Sequence, residues 1–98
     1  MNPPSSHMRE TAEILAIQAL AFIAEEPERL AGFLNVTGLT VARIRDVARQ
    51  TGFLAAVLEH MLADEPLLIA FAKSAAIDPG DVKRAYSVLG GHWERDVP

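Results

Sequence analysis

The sequence predicts an all-α fold, a compact bundle of about six short helices. Three observations predict it. Half of the residues are hydrophobic while aromatics make up only 6%. The apolar share is mostly Ala, Leu, Ile and Val, which suits short helices packed closely on one another. Helix start and stop signals recur at short intervals along the chain. No stretch alternates apolar with polar residues as a half-buried strand does.

A chain of 98 residues is expected to form one domain. At that size about 60–65% of the unfolded chain's surface can be buried, enough for a modest core. Residues 1–7 (MNPPSSH) carry no apolar period and read as a disordered arm or a cloning remnant, with Met8 the natural start. Residues 8–91 read as the helical domain, and residues 92–98 as a flexible tail after Gly90-Gly91.

The first helix is expected over residues 9–25. Glu26-Pro27 restarts the chain, because proline at the first helical position gives up an N–H that has no partner there. The second helix runs to Val36, with Gly38 as its left-handed cap. Thr40 caps a third helix with Val41, Ile44, Val47 and Ala48 on one face, which Gly52 ends. A fourth spans residues 53–62. Asp64 and Pro66 open a fifth that runs to Ala76. Asp78-Pro79, an N-cap followed by a proline, opens a sixth that Gly90 closes.

The order of signals repeats. Ala24-Glu25-Glu26-Pro27 recurs as Ala63-Asp64-Glu65-Pro66. A slide of 38 residues pairs Phe33 with Phe71, Leu39 with Ile77, Thr40 with Asp78, Ile44 with Val82 and Gly52 with Gly90. Two pseudo-repeated three-helix units would explain this. The alternative is the self-match that any six-helix chain shows.

Several function classes are excluded by composition. The chain has no cysteine, which removes disulfides, thiolate metal sites and thiol nucleophiles, and fits a cytoplasmic chain. A net charge of −4 argues against general affinity for nucleic acid or anionic membrane. No apolar run reaches the 18 or so residues of a spanning helix.

The stretches ALAFIAEEPERL (19–30), FLNVTGL (33–39) and GFLAAVLEHMLADEPLLIAF (52–71) resemble a family of short bacterial proteins of unknown function, typical of alphaproteobacteria. The resemblance covers the chain from about Met8 to Leu89. It implies a cytoplasmic all-α protein with no assigned activity, and it carries over no catalytic residue.

Four constellations bear on chemistry. Residues 43–53 (RIRDVARQTGF) look like the first half of a helix-turn-helix, with Ala48, Gly52 and Leu58 at that motif's spacing. A reading helix needs side chains that reach base edges. Residues 54–62 offer only Glu59 and His60, so a core helix is expected. His60 and Asp64 stand at i, i+4 beside Glu59, but a metal site needs three or four ligands fixed together. Glu25, Glu26 and Glu28 gather at a helix junction, where acids complement the N-terminal dipole. Arg43, Arg45 and Arg49 form a basic stripe, either a solvated face paired with Asp46 at i, i+3 or a docking surface for an acidic partner.

No catalytic, cofactor-binding or metal-ligating residue emerges, and no cofactor is expected. The leading expectation is a non-enzymatic protein–protein interaction module whose first candidate partner is a second copy of itself, in a two-fold homodimer. Surplus apolar residues motivate it: Ile23, set opposite Ile14 and Ile17, together with Leu67 and Ile69. With the three arginines these make the expected partner surface. The alternative is a degenerate helix-turn-helix DNA-binding protein.

Overall fold

A computed structural model describes the backbone over residues 4–91 and the side chains over residues 7–90. Six helices follow one another: α1 (Pro4–Ala24), α2 (Pro27–Thr37), α3 (Val41–Val47), α4 (Thr51–Leu62), α5 (Glu65–Ala75) and α6 (Pro79–Tyr86). A wide turn over Ser87–Gly91 extends the last of them. No strand occurs among the described residues. The all-α bundle expected from the sequence is therefore the fold.

Local chemistry explains most boundaries. Gly38 adopts φ 73° and returns its N–H to the Leu34 carbonyl, closing α2. An L side chain would be strained there. Thr40 accepts a hydrogen bond from the Arg43 N–H at 3.1 Å and starts α3. Asp64 does the same for Leu67 at 3.2 Å and starts α5. Asp78 and Asp81 form a reciprocal capping box at the start of α6, which satisfies backbone donors that have no partner inside the helix.

Two boundaries differ from the sequence expectation. The first helix begins at Pro4, inside the segment read as an arm, because Pro4 can open a helix at no cost in hydrogen bonding. Residues 1–3 and the tail expected over residues 92–98 lie outside the described residues. The third helix ends at Val47, five residues before Gly52, and Gly52 sits in the first turn of α4. Gln50 is extended (φ −78°, ψ 133°) and becomes the N-cap of α4, so the break falls there and not at the glycine.

The core is entirely hydrophobic: no polar or charged side chain is buried among the described residues. Helix α4 runs through its centre with Phe53, Leu54, Val57, Leu58 and Met61 all buried. Helix α1 packs on α4 and α6 through Ala12, Ala16, Ala19 and Ile23, all at 3% exposure or less. Three alanines in that column let the neighbouring helix axes approach closely. Phe33 and Phe71 are both buried. The Phe71 ring tilts onto Phe22 at 5.5 Å, and the Phe33 ring meets Phe53 edge-on at 6.0 Å.

The pseudo-repeat matches in part. Phe33 and Phe71 share a buried role, and Thr40 and Asp78 are both N-caps. Gly52 and Gly90 do not correspond. Gly90 takes φ 137° beyond α6, whereas Gly52 is an ordinary helical residue without a positive φ. No helix among the described residues is long and apolar enough to cross a membrane.

Candidate functional site

The most exposed large hydrophobic residue in the described chain is Val36, at 73%. Its position follows from the register of α2. Leu30, Phe33 and Leu34 turn toward the core, which leaves Arg29, Gly32 and Val36 at i, i+3, i+7 along one edge. Gly32 has nothing within 4 Å of where a Cβ would stand. That edge borders two adjoining open grooves, of about 660 Å³ and about 410 Å³, and Val36, His60 and Asp64 line both.

The other walls come from the end of α4 and the corner into α5. Ala56, Ala63 and Pro66 give the larger groove apolar surface, and Leu67 does the same for the smaller. His60 is half-buried, its ring set edge-on to Phe33 at 5.1 Å. A core aromatic thus fixes the groove's only imidazole. Thr37 at the upper end donates its hydroxyl to the Phe33 carbonyl at 2.8 Å and accepts the Leu39 N–H at 3.3 Å. The α2–α3 link is pinned by these bonds.

The rim is acidic. Glu59 and Glu65 line the larger groove and Glu28 the smaller, and all three are exposed. None of them has an ion pair among the described residues. The basic member, Arg29, is engaged elsewhere. Its guanidinium lies 4.1 Å from the Phe22 ring centroid and donates to the Phe22 carbonyl at 3.3 Å. The groove can therefore hold apolar side chains on its floor and attract cations at its edge.

The expected site residues disperse. Ile23 is fully buried at 0% exposure, so its assignment to a partner surface is corrected. The column Ala12, Ala16, Ala19, Ile23 faces the core, and Ile14 and Ile17 face outward at 54% and 48%. Leu67 is half-buried in the groove wall. Ile69 is 46% exposed on the outer face of α5, one turn from Lys73. Arg43, Arg45 and Arg49 are all exposed. Arg43 approaches Asp46 at 4.0 Å, and the other two have no ion pair among the described residues.

His60, Asp64 and Glu59 do come together in one groove, as their spacing suggested. No group of three or more metal-ligating side chains forms among the described residues. Glu25 and Glu26 are exposed at the α1–α2 junction. The would-be reading helix of a helix-turn-helix is α4, whose only fully exposed residues are Gly52 and Glu59. Neither donates to a base edge or a phosphate from its side chain.

Val36, Ala56, Ala63 and Pro66 were not singled out from sequence. Val36 and Ala56 lie in different helices and belong to no motif, and Ala63 and Pro66 read only as parts of the repeated helix-start signal. The one available signal was Val36 itself, an apolar residue off the Leu30–Phe33–Leu34 stripe of α2.

The model of a family described as a protein of unknown function, DUF3572, matches residues 9–92. No curated protein and no solved structure matches the chain.

Proposed function

The chain belongs to the DUF3572 family, and for it we propose a non-enzymatic role as a protein–protein interaction module that docks a partner on the Val36–His60 groove. One observation carries the reading. Val36 is 73% exposed on the ridge between two grooves whose apolar walls and acidic rim are otherwise unengaged. A valine held in that position loses nothing when a partner covers it and gains the transfer of its surface from water. The fully hydrophobic core supports the same view, since its packing supplies a rigid platform for the groove. Cytoplasmic residence is part of the proposal, supported by a chain without cysteine.

Site-specific photo-crosslinking tests it. A benzophenone amino acid placed at Val36 in cells that carry the full chain should yield a discrete protein adduct. The same group at Lys73, exposed on the outer face of α5, should yield none. Equal labelling from both positions, or no adduct from either, overturns the reading.

A further inference from the structure

We propose that the partner of the groove is a second copy of this chain, which inserts Val41 and Arg45 of its α3 together with Arg49 in the turn that follows. The inference rests on the interaction-module reading and names its occupant.

Three features of α3 fit it to the groove. Val41 and Arg45 stand at i, i+4 on one side of α3, and Arg49 follows two residues past its end, so an apolar residue leads into two cations. Val41 is 49% exposed, although it opens a helix whose other large apolar residues, Ile44 and Val47, turn inward. Arg45 and Arg49 are exposed and without an ion pair among the described residues. The groove offers the complement: an apolar floor beside Val36, and Glu28, Glu59 and Glu65 at its rim, also unpaired. An acidic chain keeps its two free arginines of this region on one short helix and the turn that ends it. The acids that would satisfy them stand on a groove that begins at Thr37, four residues before that helix.

Adjacency matters because it permits closure. Helix α2, which carries the groove's Val36 and Thr37, is joined to α3 by residues 38–40 alone. A two-fold axis between Val36 and Val41 brings each copy's α3 to the other's groove at once, so both contacts form and no surface is left to propagate a fibre. The two exposed valines then shield one another at the axis. Helix α3 is suited to this use, since it buries only Val47 in its own chain and retains the outward face for docking.

A charge swap, read by sedimentation velocity at tens of micromolar and low ionic strength, tests the assignment. One variant carries Arg45→Glu and Arg49→Glu, the other Glu59→Arg and Glu65→Arg; all four positions are exposed, and far-UV circular dichroism checks the helix content of each. The wild-type chain should sediment as a dimer. Each variant alone places like charges across both contacts and should weaken dimerisation at least about tenfold. An equimolar mixture restores opposite charge at both contacts, since an acidic α3 then meets a basic groove and a basic α3 an acidic one. The mixture should dimerise about as well as wild type. Variants that dimerise like wild type, or a mixture that stays monomeric while both partners are folded, overturn the α3–groove contact. A wild-type chain that is monomeric throughout overturns the second copy as occupant, whereas failure of the interaction reading itself shows separately, as no adduct at Val36.

Discussion

Replacing Phe33 with alanine should be the most damaging single truncation in the first half of the chain. The side chain is fully buried, at 0% exposure, and its ring meets Phe53 edge-on at 6.0 Å and His60 edge-on at 5.1 Å. Truncation of a buried phenylalanine costs about 3–5 kcal/mol, counting both the transfer of the lost atoms and the cavity they leave. Against a total stability of about 5–15 kcal/mol for a natural domain, that is about a fifth or more of what holds the chain folded. Each kcal/mol corresponds to about 4–8 °C in Tm at this chain length, so the melting temperature should fall by at least about 12 °C. Thermal and urea denaturation followed by circular dichroism at 222 nm would measure it. Phe33→Leu should lose much less stability, yet still free the His60 ring. A loss below about 1 kcal/mol for Phe33→Ala would refute the reasoning, because a ring so enclosed has no way to be replaced by water cheaply.

Three further substitutions probe other parts of the account. Ala76 holds a left-handed conformation at φ 58° beyond α5, which costs a residue with a Cβ about 1–2 kcal/mol. Ala76→Gly should therefore raise stability by about 0.5 kcal/mol net of the glycine's greater freedom when unfolded. A melting temperature that falls would contradict this. The orientation of α1 makes a paired prediction. Ile23→Ala should cost about 2–5 kcal/mol from the core, while Ile14→Ala, at an exposed site, should stay within about 0.5 kcal/mol. Equal losses in the two would mean that the inner face is misassigned.

The parts of the fold legible in the sequence are those governed by local backbone chemistry. Thr40, Asp64 and Asp78 each accept a hydrogen bond from a backbone N–H at a helix start. Such bonds depend on neighbours two or three residues away, which a sequence displays directly. Phe33 and Phe71 were legible because a large ring inside an amphipathic period has one place to go. The face of α1 was not. That helix is apolar on both sides, and a reading by bulk favours Ile14 and Ile17 as core. The inner face is instead built of alanines with Ile23, because α4 and α6 come close to it, and helix proximity is a tertiary property. The break between α3 and α4 was placed too late for a related reason. Gly52 is a strong local stop signal, yet Gln50 turns extended first and lets Phe53 and Leu54 enter the core as helix.

The groove was legible only at one corner. His60 and Asp64 share a helical face by spacing alone, and that pair was visible. The residues that make the groove a docking surface come from α2 and from the α4–α5 corner, brought together by packing around Phe33. The arginine stripe was visible as charge, but its relation to the acidic rim required knowing that α3 starts four residues beyond the groove's Thr37 wall.

The most direct test of the docking surface is the change in backbone amide chemical shifts as the chain is diluted from hundreds to a few micromolar at low ionic strength. The account predicts that shifts concentrate at Val36, Glu59, His60 and Leu67 on the groove and at Val41, Arg45 and Arg49 on α3 and the turn after it, and that Ile14, Ile17 and Ile69 stay fixed. Shifts centred on Ile14 and Ile17, or none at any concentration, would contradict it.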